Sequence, residues 1–425
     1  MPAAALILKI TWIGLYIVLY LLLADVVFQF AVGCGGIFAQ KSPIEAKSLR
    51  KFAVLIPAHN EAAVLAPLLR SLNGQRYPRD HYRVFVSCDD CGDDTAGVAV
   101  SCGAEAFIRS SFAKKGKTWN VKWALEKIPM DDFDAIALFD ADNLAEADFL
   151  SSMNDYMEEH PGADAIQGML DVKNPNDNWL TMSYATAYWF TNRFWQMARA
   201  TWGLSCTMGG TGLVVKTSAL RRLGWNYESL TEDLEMSTRM ILSGSRVHWN
   251  DHAVIYDEKP QSLSASMRQR TRWMRGHYWT LWNYGKPVFS MFIKTRKIQY
   301  LDLLMYLLAP AKCCVAVLAL AAGTALTLAE RGTFSADTAA PLISLFGLPF
   351  VTAVVFCALC SVLGSSIRHG RVMLGCVRHV PAFFWYGLTW LPIIFRALFA
   401  VGRQGDWIST EHTRNLSLEQ MTRRE

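Results

Sequence analysis

Two carboxylates one residue apart, Asp140 and Asp142, close the apolar run in AIALFDADN. Such a pair can ligate Mg²⁺ or Mn²⁺, with phosphate oxygens and water completing the shell. The ion then offsets charge on a departing diphosphate. A lone D-x-D is equally a solvated turn, or a helix cap through Asn143. More acid stands in CDDCGDDT, with Asp89, Asp90, Asp93 and Asp94. Such a cluster is costly in a pocket without a counter-charge. Lys114, Lys115 and Lys117 could face a phosphate, or simply solvent. A third acidic point is LTEDLEMSTRM, with Glu232 and Asp233. An acid there can cap the helix that follows, with Thr231 and Glu235 compatible with local capping. Facing a hydroxyl instead, it can act as a general base. In MRQRTRWMRG, Gln269, Arg272 and Trp273 are spaced i, i+3, i+4 and share one helix face. Arginine offers a bidentate clamp for a diphosphate and tryptophan a surface for a sugar ring. An amphipathic interfacial helix would carry the same residues.

The elements that must hold these residues alternate. KFAVLIPAHN reads as a strand and loop, EAAVLAPLLRSL as a helix, YRVFVSCDD as a strand ending in acid. TAGVAVSCGA fits a short helix, AEAFIR a strand, and Lys117–Lys127 a helix. FDAIALFDADN is then a central strand, followed by a helix over 146–160 and the strand ADAIQGML. This predicts an α/β domain with a mostly parallel sheet. Ligands gather at the C-terminal strand ends of such sheets, where Asn60, Asp89 and Asp140–Asp142 fall. G-x-G-x-x-G and the P-loop pattern are both absent.

The 425 residues are 52% hydrophobic, concentrated toward both ends. Residues 6–24 carry only Lys9 as a charge and the run continues past Asp25 to Phe38, long enough to cross a bilayer. It reads as a retained anchor, with Asp25 near the interface. Residues 303–329, with Lys312 inside, and 341–364 are further span candidates. Segment 381–400, interrupted by Pro381, Pro392 and Arg396, could lie along the interface or dip in and return. Basic residues at 41–51, 294–297 and 368–378 place the middle region on the cytosolic side of a cytoplasmic (inner) membrane, crossed by several spans. The net charge of +5 is explained by lipid headgroups and orientation, without nucleic acid. Of ten cysteines, Cys88 and Cys91 form a C-x-x-C that no second pair or nearby histidine completes as a metal site.

Taken in order, PAHNE (57–61), CDDCGDDT (88–95), DAD (140–142), TED (231–233) and QRTRW (269–273) resemble the inverting, membrane-embedded family 2 glycosyltransferases. Cellulose, hyaluronan, chitin-oligosaccharide and poly-N-acetylglucosamine synthases belong there. The match covers residues 50–300, and QRTRW fits the Q-x-x-R-W signature of processive members. The resemblance implies a glycosyltransferase-A-like sheet domain inserted between transmembrane helices. Its parts would be an anchor (1–38), a cytosolic transferase domain (50–262), interface helices with Q-x-x-R-W (263–300), two transmembrane helices (301–366), and an interfacial helix, gating-loop-like segment and tail (367–425). Ala58, Glu61 and Asp89 would hold the base and ribose of a nucleotide sugar, and Lys117 would approach its diphosphate. Asp140 and Asp142 would take the D-x-D role with Mg²⁺ or Mn²⁺, Asp142 as the direct ligand. Asp233, beside Glu232, would be the catalytic base. Gln269, Arg272 and Trp273 would border the pyrophosphate and acceptor end, and Gly210 in TMGGTG (207–212) the acceptor pocket. DWISTEHTR resembles the family's gating-loop motif through Trp407, Thr410 and His412.

The expected function is inverting transfer from a UDP-sugar to the end of a growing β-linked glycan, coupled to export. Tyr184, Tyr188, Trp189, Trp195 and Trp202 are candidates to stack on that glycan. An accessory export subunit or homo-oligomer is compatible with it. One alternative is a single addition to a lipid-linked acceptor. Another is an inactive glycan-binding or transport protein. The second acidic motif has Asp90-Cys91-Gly92 where many relatives carry a different polar trio, which leaves its base contacts open.

Overall fold

The computed structural model describes residues 3–38, 44–110, 114, 116–331, 355, 380–402, 404, 416 and 418–422. The strands are β1 (Phe52–Ala58), β2 (Tyr82–Asp89), β3 (Glu105–Arg109), β4 (Ala135–Leu138), β5 (Leu144–Ala145), β6 (Ala165–Val172), β7 (Leu213–Lys216) and β8 (Val247–Asp257). They form one sheet in the order β3-β2-β1-β4-β7-β6-β8-β5. The β3-β2-β1-β4 half is parallel, as is β6–β8, whereas β7 runs antiparallel to β4 and β6, and β5 antiparallel to β8. The sheet is therefore mixed and mostly parallel.

β1 is buried along its whole length. Phe52, Val54, Ile56 and Ala58 enter one apolar cluster, while Ala53 and Leu55 enter the cluster on the opposite face. Burial on both faces is why the strand reads as a continuous apolar run. α1 (Ala3–Gly33) leads into the sheet domain, whose helices are α2 (Leu65–Asn73), α3 (Thr95–Ser101), α4 (Lys117–Leu125), α5 (Phe149–Glu159), α6 (Trp179–Phe190), α7 (Ala198–Thr201), α8 (Thr217–Leu223) and α9 (Glu232–Leu242). α2 buries Leu65, Leu68, Leu69 and Leu72, an i, i+3, i+4, i+7 stripe that packs on the sheet. β7 and β8 are absent from the sequence reading. In β8 the polar Asn250-Asp251-His252 interrupts the apolar pattern, and its pairing with β6 shifts register between Gly168 and Met169.

The sheet domain continues into α10 (Leu263–Thr295), α11 (Ile298–Leu307) and α12 (Ala309–Arg331), and later α13 (Val380–Leu388) and α14 (Trp390–Leu398). The proposed span 303–329 is not one helix. The chain breaks at Leu308, with Pro310 in the first turn of α12, where its missing N–H costs nothing. Among the described residues two helices are long and apolar enough to cross a membrane, Lys9–Gly36 and Ala309–Leu328. The 341–364 candidate lies outside the described residues, Val355 apart. α1 leaves Ile10, Ile13, Leu21, Val27 and Phe30 exposed. Asp25 pairs with Lys312 at 2.6 Å, tying α1 to α12. The 381–400 segment is two short helices, α13 and α14, broken at Thr389.

Candidate active site

A cavity of about 570 Å³ opens where the C-terminal ends of β1, β2 and β4 face α9 and α10. Its first wall is the loop after β1, with Ala58, His59 and Glu61. His59 Nδ1 donates to the Asp89 carbonyl at 2.5 Å, joining this loop to the end of β2. The acidic cluster is divided by role. Asp89 forms a buried ion pair with Arg109. Asp93 instead accepts the N–H groups of Ala62 (3.0 Å) and Thr95 (3.1 Å), so it is a structural staple at the start of α3.

The D-x-D occupies a turn between β4 and β5. Asn143 N–H returns to the Asp140 carbonyl at 3.1 Å, and Asp140 N–H reaches Asn143 Oδ1 at 3.1 Å and Thr211 Oγ1 at 2.9 Å. Asn143 thus holds the turn from inside, while Asp140 and Asp142 both line the cavity. Lys173 donates to the Asp142 carbonyl at 3.1 Å.

Lys117, the first residue of α4, lies inside the cavity rather than on a solvated face. Its Nζ contacts Asp140 Oδ1 at 2.5 Å, the Gly210 carbonyl at 2.8 Å and Glu232 Oε1 at 3.6 Å. Burial opposes charge on this amine, but the Asp140 and Glu232 carboxylates outweigh it and raise its pKa, so it stays an ammonium. Lys114 lies over the Trp119 ring at 3.8 Å instead. Gly210 has φ 79°, a conformation that favours glycine. A Cβ there would stand 3.3 Å from Asp233 Oδ2 and 3.6 Å from Lys117 Nζ. Gly210→Ala is therefore expected to cost about 1 kcal/mol of stability through backbone strain alone, read by thermal denaturation. It should lower turnover further by displacing Asp233. Unchanged turnover would show that the Asp233 carboxylate absorbs this crowding without consequence.

Glu232 and Asp233 open α9, where the helix N-terminus favours negative charge. The anticipated capping by Thr231 does not form: Thr231 makes no side-chain cap bond. Glu235 turns instead to the N–H groups of Glu228 and Ser229, both at 2.9 Å, and to the Tyr284 hydroxyl at 2.8 Å. These bonds shape the loop ahead of the helix. Asp233 Oδ1 accepts the Leu234 N–H at 2.8 Å. Burial, then the adjacent Glu232 charge, push the Asp233 carboxyl up to about 7.

α10 presents Gln269, Arg272 and Trp273 to the cavity. Its approach to the 229–231 loop requires Gly276, since a Cβ there would meet Thr231 Oγ1 at 2.3 Å. Among the described residues Gln269 Oε1 and Arg272 Nε are buried without a hydrogen-bond partner. Buried polar atoms are ordinarily satisfied, so a ligand bearing donors and acceptors fits here.

Of the five aromatics expected along a glycan path, Tyr184 and Tyr188 line the cavity. The others face elsewhere. Trp189 donates to Asp171 Oδ1 at 3.1 Å, Trp195 packs on Tyr306 with ring centres 5.0 Å apart, and Trp202 donates to the Val32 carbonyl at 2.8 Å. Sequence reasoning missed His59, Asp257, Glu258, His277, Tyr306 and Gln404, all of which line the cavity. Asp257 and Glu258 stand at the end of β8, so recognising that strand would have found them. Gln404 Oε1 accepts the Leu230 N–H at 2.9 Å, fastening the chain after α14 to the loop before Glu232. Trp407, Thr410 and His412 lie outside the described residues.

Among the described residues no group of three or more His, Cys, Asp or Glu side chains is arranged to hold a metal. Of the carboxylates that line the cavity, Asp140 and Asp142 stand together in the D-x-D turn. That set fits a divalent cation that shares its shell with substrate phosphates and water, not one caged by protein alone.

A mostly parallel sheet with a D-x-D at the end of a central strand and an acid on the facing helix defines a glycosyltransferase-A-like domain. The chain belongs to the glycosyltransferase like family 2, whose sequence model matches residues 50–276. It is 28% identical over 257 residues to the probable glycosyltransferase YdaM of Bacillus subtilis, covering 58% of this chain and 59% of that one. It is 28% identical over 322 residues to the β-monoglucosyldiacylglycerol synthase of Trichormus variabilis, covering 72% of this chain and 67% of the relative. The fold matches a solved mannosyltransferase of Pyrobaculum calidifontis, described in complex with GDP-Man and Mn²⁺. The TM-score is 0.59 at 18% identity, covering 85% of this chain and 98% of that one.

Proposed function

We propose that the protein transfers a sugar, with inversion, from a nucleotide diphosphate sugar to a hydroxyl of a lipid acceptor at a membrane surface. The observation that carries this reading is the convergence on one cavity of Asp233, Lys117, the D-x-D and the unsatisfied Gln269 and Arg272. Asp233 takes the proton from the acceptor hydroxyl as its oxygen attacks the anomeric carbon from the face opposite the diphosphate. Lys117 and Arg272 offset charge on the leaving group. Ala58, Glu61 and Asp89 border the space for the nucleoside. Asp140 and Asp142 would hold a Mg²⁺ or Mn²⁺ ion, which when bound neutralises diphosphate charge. An α-linked donor would give a β-linked product.

The exposed apolar side chains of α1 support a bilayer as its neighbour. The similarity to a β-monoglucosyldiacylglycerol synthase supports a lipid acceptor. Gln269, Arg272 and Trp273 on the cavity wall favour a second reading, repeated addition to a growing glycan that is then exported.

The test is purified protein in nanodiscs screened with Mg²⁺ or Mn²⁺ against UDP-glucose, UDP-N-acetylglucosamine, UDP-glucuronate and GDP-mannose. Nucleotide release should depend on added lipid acceptor, with a single-addition product by mass spectrometry. A ladder of products would favour the second reading, and no consumption of any donor would defeat both.

A further inference from the structure

The CDDCGDDT loop holds two cysteines that this chemistry does not use. Cys88 is the penultimate residue of β2 and is 2% exposed. Asp90 adopts a left-handed backbone, φ 52°, which turns the chain back toward the strand end. The half-buried Cys91 thereby packs against the apolar cluster that contains Cys88, whose strand partner in β1 is Ala58. Cys91 Sγ also accepts the Asn60 N–H at 3.5 Å and lies 3.8 Å from the Ala58 carbonyl. One sulfur thus joins the turn after β2 to the 58–61 loop, and Ala58, His59, Glu61 and Asp89 beside it line the cavity. Both are free thiols, and among the described residues no metal-holding cluster includes the pair.

We propose that Cys88 and Cys91 are a reversible redox pair, oxidised to an intramolecular disulfide by a low-molecular-weight disulfide, and that oxidation distorts the nucleotide-binding end of the cavity. Cys91 is the attacking thiol because it is the more accessible of the two. The neighbouring Cys88 thiol lowers the Cys91 pKa to about 6, against the effect of burial, with help from the Asn60 N–H. Its thiolate attacks one sulfur of glutathione disulfide and releases one glutathione thiolate. Cys88 then loses its proton and displaces the second glutathione from the Cys91 mixed disulfide. Two protein thiols are oxidised, one small disulfide is reduced to two thiols, and atoms and electrons balance.

A disulfide requires the sulfurs to close to about 2.05 Å. Cys91 Sγ must then leave the Asn60 N–H and the Ala58 carbonyl, and Asp89 becomes part of a small closed ring. The binding consequence rests on the function proposed above, whereas the thiol chemistry does not.

The experiment equilibrates the full-length protein with excess glutathione disulfide or with excess glutathione, then alkylates and digests it. The tryptic peptide 84–109 contains Cys88, Cys91 and Cys102, which fragmentation distinguishes. An internal Cys88–Cys91 disulfide, reversed by dithiothreitol and absent from both Cys91→Ala and Cys88→Ala, is expected. Hydrogen exchange should quicken in 58–61 and 89–94 on oxidation in the wild type only. UDP affinity should fall about tenfold, the loss of one charge-assisted contact. Full alkylation of both cysteines under oxidising conditions would overturn the proposal, as would a disulfide that leaves exchange unchanged. If the reduced protein binds no nucleotide, the proposed function fails, while the peptide and exchange measurements still decide the redox pair.

Discussion

Asp233→Asn is expected to slow sugar transfer by roughly 10²- to 10⁴-fold while leaving nucleotide binding intact. The substitution preserves shape and the bond from Leu234 N–H, but removes the ability to take a proton. Asp233 can act as a base only when ionised. Because burial and Glu232 raise its carboxyl to about 7, the ionised form predominates only above that pH. In the wild type kcat/KM should therefore rise about tenfold per pH unit below about 7 and level off above it, since this ratio reports the free enzyme. In Asp233→Asn that limb should vanish. Nucleotide binding by calorimetry separates a lost base from a lost fold. A variant with near-normal turnover would remove Asp233 from the mechanism.

Arg199→Met should be the most destabilising single change outside the cavity. Arg199 is 1% exposed and makes a two-pronged pair with Asp302, Nε to Oδ2 at 2.9 Å and Nη2 to Oδ1 at 2.8 Å. Nη2 also donates to Gln29 Oε1 at 3.0 Å, so one guanidinium links the catalytic domain to α1 and α11. Removing it leaves the Asp302 carboxylate buried and unpaired, at a cost of about 3–5 kcal/mol. The readout is a lower thermal midpoint in detergent. Arg199→Met/Asp302→Leu should recover much of that loss, because no charge remains buried. A single variant as stable as the wild type would show that this pair does not hold the helices to the domain.

Much of the first half of the fold was legible from local pattern. β1, β2 and β4 are short apolar runs ended by polar residues, and α2 carries its apolar stripe at helical spacing, so hydrophobic period alone places them. The second half was less so. β7 has only four residues, and β8 is interrupted by Asn250-Asp251-His252. Both are strands because neighbours in the sheet pair with them, a contribution that no local propensity carries. Pro310 was visible in the sequence, yet the break at Leu308 was hidden within a continuous apolar run.

The sequence by itself determined which groups are available: paired carboxylates at a strand end, acids opening α9, and Gln, Arg and Trp on one face of α10. Chain periodicity dictates those placements, because successive residues can point only where helix or strand geometry sends them. Tertiary structure alone decided their roles. It set Lys117 among Asp140, Glu232 and the Gly210 carbonyl, three partners 23, 115 and 93 residues away, and so settled whether that lysine faces solvent or acid. It also gave Asp93 to the backbone and Asp89 to Arg109, and raised Asp233 by burial. Burial and the identity of a distant partner are properties of the packed chain, and they fix the protonation state on which the proposed chemistry depends.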